Sequence, residues 1–170
     1  MSTRKHTDHP HLTGEHRLGD TGQLILLLIF IVIYITDTFI YQYSTFLDPK
    51  VPNYIQVPLA ILIWAAGATL AYRGMRMVFG SKNRSPGVIS SGVFSIVRHP
   101  IYLGAILFYL GMVVISLSIA SAALFVIIVA FYISIARYEE KILTREFGDA
   151  YIQYRQRTGM LFPKLTRRKQ

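Results

Sequence analysis

"IYLGAILFYLGMVVISLSIASAALFVIIVAFYISIA", residues 101–136, holds no Asp, Glu, Lys or Arg over its 36 positions. As a single α-helix it would be roughly 54 Å long at 1.5 Å per residue, whereas the hydrocarbon core of a bilayer is about 30 Å thick. The stretch must therefore fold back on itself. The cluster Ser116, Ser118 and Ser121 marks the turn of a hairpin of two short spans, residues 101–117 and 119–136.

Upstream lie two further apolar runs of spanning length. Residues 22–41, "GQLILLLIFIVIYITDTFIY", carry one acid, Asp37, towards their end. Residues 55–72, "IQVPLAILIWAAGATLAY", place Pro58 in the first turn, where a missing backbone donor matters little. The expected fold class is thus all-α: an integral membrane helical bundle of four transmembrane helices with a C-terminal helical hairpin. Residues 1–20 read as a disordered tail, and residues 21–170 as a single domain. The four histidines of the tail, His6, His9, His11 and His16, form at most a weak metal site, and no metal is assigned.

The chain carries a net charge of +9 with 52% hydrophobic residues, so basicity and apolar content are segregated. Basic residues flank the apolar runs instead of striping a polar domain, which argues against nucleic acid as a partner. Three Lys or Arg precede the first span, five lie between the second and third, and nine follow the fourth; only Lys50 falls on the other face. By the positive-inside rule both termini are cytoplasmic. The absence of cysteine removes thiolate nucleophiles, disulfides and Cys-ligated metals. Asn83-Arg84-Ser85 has the form of a glycosylation acceptor but faces the cytoplasm.

The chemically capable residues gather in two cytoplasmic segments, "SPGVISSGVFSIVRHPIY" (85–102) and "ARYEEKILTREFGDAYIQYRQRTGMLFPKL" (136–165). Antiparallel neighbouring spans bring His99 and the pair Glu139 and Glu140 to one membrane depth. Each feature alone also fits a simpler role: Arg98-His99 as a headgroup anchor, Pro100 as a helix start, the Glu pair as a solvated face. Together they suit a cationic, nucleotide-like cofactor. Carboxylates pair with an ammonium group or accept ribose hydroxyls, His99 and Tyr102 donate to polar atoms, and Phe94 flanks a base. A lipid-soluble substrate would arrive from the bilayer side.

At these positions the sequence resembles the isoprenylcysteine carboxyl methyltransferases and the related phospholipid N-methyltransferases. The matching residues are Ser90-Ser91-Gly92-Val93-Phe94, Arg98-His99-Pro100-x-Tyr102-x-Gly104, Arg137-x-Glu139-Glu140-x-x-Leu143, Phe147-Gly148-x-x-Tyr151-x-x-Tyr154 and Pro163, over roughly residues 85–165. The resemblance implies a membrane methyltransferase that uses S-adenosyl-L-methionine, with cofactor segments 85–102 and 137–165. It implies cofactor contacts from Val88, Ile89, Phe94, His99, Pro100, Tyr102, Glu139 and Glu140, and a catalytic set of His99, Tyr102 and Arg137, the last orienting the acceptor. It also implies a lipophilic or prenylated acceptor, such as an isoprenylcysteine carboxylate or a lipid, drawn from surrounding membrane lipids in a bacterial or archaeal inner membrane. Near the end the pattern departs, with Met160-Leu161-Phe162 where relatives carry a basic residue, so the acceptor class stays open.

Two other readings remain. NADPH-dependent sterol reductases share a related Arg-His-Pro-Asn-Tyr motif, but here Ile101 replaces the Asn and residues 103–105 carry no acid. A non-catalytic membrane scaffold would keep the motif and show no stabilisation by cofactor.

Overall fold

The computed structural model describes residues 17–80 and 87–164. The histidine tail and the Asn83-Arg84-Ser85 tripeptide lie outside them, as do residues 85 and 86 of the first cofactor segment. Helix α1 (Arg17–Ile35) runs into a π-helical turn (Thr36–Tyr41), and a short 3-10 turn (Asp48–Lys50) leads to α2 (Asn53–Phe79). A second 3-10 turn (Gly92–Ser95) precedes α3 (Pro100–Ser116), α4 (Ile119–Phe147) and α5 (Asp149–Arg157).

Among the described residues, Gly19–Tyr41, Asn53–Phe79 and Ile119–Phe147 are long and apolar enough to cross a membrane, while Pro100–Ser116 is a shorter apolar helix. At 17 residues, α3 is only about 25 Å long. The other three helices outrun the apolar stretches seen in the sequence. Helix α1 begins at Arg17 and so takes in residues 17–20 of the expected tail. Helix α4 continues beyond residue 136 through charged helix formers until Gly148, whose φ of 52° a side chain would resist. Hydropathy marks the part of a helix that lipid covers, not where its backbone bonding stops.

The hairpin turns at the serine cluster. Leu117 takes a left-handed conformation after α3, and Ser118 caps α4 by accepting from the Ser121 N–H at 3.0 Å. The carboxylate of Asp37 reaches the same turn. Its Oδ2 accepts from the hydroxyls of Ser44 and Ser118, and its Oδ1 from the Ser44 N–H at 3.1 Å. This satisfies an acid at the end of an apolar helix, where an unpaired charge is expensive.

Helices α2 and α3 approach closely through glycine. A β-carbon on Gly104 would lie 2.7 Å from the Gly67 carbonyl oxygen and 2.9 Å from the β-carbon of Ala71. The core joins α1, α3 and α4 through Phe30, Tyr34, Ile106, Tyr109, Leu124, Ile128 and Tyr132, with Leu161 from the chain's last described segment. Large apolar side chains such as Leu28, Val32, Leu62, Val126 and Ile127 point outwards and are exposed. Such an apolar exterior is the pattern of a bundle surrounded by lipid.

Candidate active site

Alternating helix directions gather the start of α1, the end of α2, the start of α3 and the end of α4 around one cavity of about 650 Å³. That volume suits a small-molecule site, for which roughly 300–1,000 Å³ is usual. The α2–α3 loop forms one wall. Pro100 opens α3, where its missing donor is no loss, and His99 sits just outside as the N-cap residue with extended φ of −123°.

His99 is buried, its ring parallel to that of Tyr102 with 5.5 Å between centroids. Its Nδ1 lies 3.5 Å from Glu139 Oε2 and its Nε2 3.3 Å from Glu140 Oε1. The Tyr102 phenol donates to Glu139 Oε1. Burial alone would pull the His99 pKa down, but the hydrogen bonds it donates to Glu139 and Glu140, and their charges, raise it above its ordinary value. Tyr154 donates to the Phe94 carbonyl at 2.6 Å and so fixes that loop. Burial pushes the Tyr154 phenol up to about 12, which keeps it a donor.

Of the residues expected from sequence, Val88, Ile89, Phe94, His99, Pro100, Tyr102 and Glu139 all line this cavity. Glu140 and Arg137 do not. One position on from Glu139 the helix has turned by about 100°, which aims Glu140 away from the cavity at Arg98, whose Nη2 lies 2.6 Å from Oε1. Arg137 is two positions back from Glu139, about 200° around the helix, and is exposed.

The cavity also takes in Asp20 and Gln23 of α1, Met75 and Phe79 of α2, and Glu146 and Phe147 at the end of α4. Asp20, Gln23, Met75 and Phe79 lie outside both segments that the sequence marked for the cofactor, whereas Glu146 and Phe147 lie within the second. The signal was present in the spacing: Asp20 and Gln23 stand one turn apart at the same end of the bundle as the Glu pair. Among the described residues no cluster of three or more His, Asp or Glu is placed to hold a metal ion.

A family model described as phospholipid methyltransferase matches residues 54–150, more than half of the chain, from α2 into α5. The chain belongs to the phospholipid methyltransferase family. With its apolar helices it is an integral membrane member of that methyltransferase family. Three curated proteins are similar over part of their length. The cobalt-zinc-cadmium resistance protein CzcN of Cupriavidus metallidurans is 30% identical over 64% of this chain and 51% of its own. Methanethiol S-methyltransferase 2 of Bradyrhizobium diazoefficiens is 35% identical over 60% of this chain and 36% of its own. Protein-S-isoprenylcysteine O-methyltransferase B of Arabidopsis thaliana is 35% identical over 41% of this chain and 36% of its own. The chain thus spans about half or less of the length of these relatives. No solved structure matches it.

Proposed function

We propose that this member of the family transfers a methyl group from S-adenosyl-L-methionine to a lipophilic acceptor at the cytoplasmic membrane face. The observation that carries the reading is the His99–Tyr102–Glu139 corner, which turns a carboxylate and a phenol towards a cavity that Val88, Ile89, Phe94 and Phe147 help to wall.

The donor set fits the cofactor. Glu139 can face an ammonium group or ribose hydroxyls, and the apolar and aromatic side chains can flank an adenine. When bound, the cofactor supplies an electrophilic methyl group on a sulfonium. The protein's part is alignment and exclusion of water: Phe94 and Phe147 give the cavity apolar walls, and Tyr102 and His99 hold the Glu139 carboxylate in one orientation.

The acceptor is drawn from the bilayer. Relatives carry names for a thiol and for a prenylated cysteine carboxylate as acceptors, and both are lipophilic. Among the described lining residues the acids are Asp20, Glu139 and Glu146, and the only arginine, Arg98, is tied to Glu140. This lining favours a neutral or cationic acceptor, a thiol or an amine, over a carboxylate. Glu139 is then the group at hand to accept the proton that such an acceptor releases.

The concentration of basic residues at the cavity end supports a cytoplasmic opening and both termini on that side of a bacterial or archaeal inner membrane. The protein in lipid nanodiscs, titrated by calorimetry with S-adenosylmethionine and separately with NADPH, should bind the first and not the second. Labelled donor with a membrane extract should then yield a labelled lipophilic product, whose identity names the acceptor. Binding of NADPH alone would turn the reading to a reductase, and binding of neither would turn it to a scaffold.

A further inference from the structure

Behind the cavity, the chain that follows α5 returns to the loop bearing His99. Val97 and Gly159 form a parallel β-bridge, with the Arg98 N–H donating to the Gly159 carbonyl at 2.8 Å and the His99 N–H to the Met160 carbonyl at 3.2 Å. Thr158 is buried, and Leu161 enters the apolar core. One arginine fastens this return. Arg98 donates from Nε to Glu140 Oε1 at 2.8 Å, and from Nη1 to the carbonyls of Arg155, at 3.2 Å, and Thr158. Arg155 Nε stands 3.4 Å from Glu140 Oε2, on the carboxylate's other side.

Glu140 is therefore surrounded by Arg98, Arg155 and His99 while contributing nothing to the cavity lining. The planar guanidinium of Arg98 reads one carboxylate and two backbone carbonyls at once, a task for which an ammonium is poorly shaped.

We propose that Arg98 and Glu140 form a latch that holds residues 158–161 behind the cavity, which makes both of them positioning residues for the donor site. The proposal rests on the reading of the cavity as a methyl-donor site. With the return segment docked, the Gly159 and Met160 carbonyls fix the backbone of Arg98 and His99, and the His99 ring reaches the cavity from a set position. Undocked, that support is gone. Donor binding must then redock the segment, so its apparent affinity falls by the fraction of molecules that are docked. By reciprocity the donor drives the segment back into place.

Two variants test this from opposite sides. Glu140→Gln removes the charge that Arg98 grips. Gly159→Ala leaves all charges intact but puts a β-carbon into the Phe162 carbonyl, so residues 159–162 must shift, and Gly159 does not line the cavity. A spin label at Phe162→Cys reports docking, because Phe162 is 80% exposed and the chain has no cysteine of its own. In nanodiscs, each variant should mobilise the label, weaken S-adenosylmethionine binding about tenfold if one molecule in ten stays docked, and regain an immobile label at saturating donor. The combined variant should be no weaker than the worse single one. A label that stays immobile in both variants overturns the latch. So does a mobile label with wild-type donor affinity, or one that saturating donor leaves mobile. If the wild-type protein binds no donor, the donor reading fails by itself and label mobility alone decides whether the latch exists. If Glu140→Gln does not fold, Gly159→Ala decides.

Discussion

The rings of His99 and Tyr102 lie parallel, 1° apart in plane, and both side chains reach the one carboxylate of Glu139. A histidine, a tyrosine and a glutamate from two helices thus act as one unit, and their individual removal should have graded effects. Tyr102→Phe keeps the stacked ring and loses the phenol's hydrogen bond to Glu139. Hydrogen bonds to charged groups contribute about 1.5–3 kcal/mol, so donor affinity should fall by roughly one to two orders of magnitude. His99→Ala removes the ring as well and should be more severe, with membrane insertion unchanged in both. Full methyl transfer by the His99→Ala protein in lipid, at saturating donor and near half-saturation, would reduce Arg98-His99-Pro100 to a headgroup anchor.

Glu139→Gln preserves shape and deletes the charge that faces the cavity. S-adenosylmethionine binding should weaken by about 1.5–3 kcal/mol, measured by calorimetry in nanodiscs. An unchanged affinity removes Glu139 from the donor site and leaves it as the clamp for Tyr102 alone.

The raised pKa of His99 makes its protonated, ion-paired form a source of stability. That contribution is fully present below the ordinary histidine value of 6.5 and is lost as pH rises through the higher value in the fold. Thermal unfolding in lipid should therefore show wild type losing stability relative to His99→Gln as pH rises above neutrality. A difference that stays constant from pH 6 to 9 would show that folding does not raise the His99 pKa.

At the far end of α1, Asp37→Asn keeps one acceptor oxygen but turns an amide donor either towards both serine hydroxyls, which share Oδ2, or towards the Ser44 N–H on Oδ1. The loss should be about 1–3 kcal/mol of stability, with donor affinity unchanged because Asp37 does not line the cavity. Ser118→Ala should cost about 1–3 kcal/mol too, since it removes a helix cap and one of the two hydroxyl donors to Asp37. An equal fall in donor affinity would mean that the two ends of the bundle are coupled.

Orientation is open to direct measurement, since single cysteines can be introduced into this chain without background. Ser95→Cys, at the cavity end, should react with an impermeant maleimide only from the cytoplasmic side, and Asn53→Cys only from the outside; both positions are exposed. Labelling of both from one side rules out the alternating arrangement.

The hairpin was legible because 36 uncharged residues cannot cross one bilayer as one helix, and the serines that break it are the ones that cap and close it. The cavity's main wall was legible because Pro100 announces a helix start and antiparallel neighbours share a depth. The division of labour between Glu139 and Glu140 was not legible, since adjacent acids look alike in a string and diverge only through the turn of α4. Arg137, on the same helix two positions before Glu139, likewise falls outside the cavity lining. Asp20 and Gln23 were hidden inside what hydropathy presents as tail and span, and the partner of Arg98 lies 42 residues away.

With the Gly67 carbonyl oxygen 2.7 Å from where a β-carbon of Gly104 would be, α2 and α3 cannot slide along one another without driving Ala71 or Leu107 into backbone. A bilayer that is too thick or too thin presses on helices of unequal length, 27 residues in α2 and 17 in α3, and loosely paired helices answer by tilting independently. This pair must tilt as one body. The height of Phe79 relative to His99 and Tyr102 is thereby uncoupled from membrane thickness, and the cavity keeps its dimensions across lipids of different chain length.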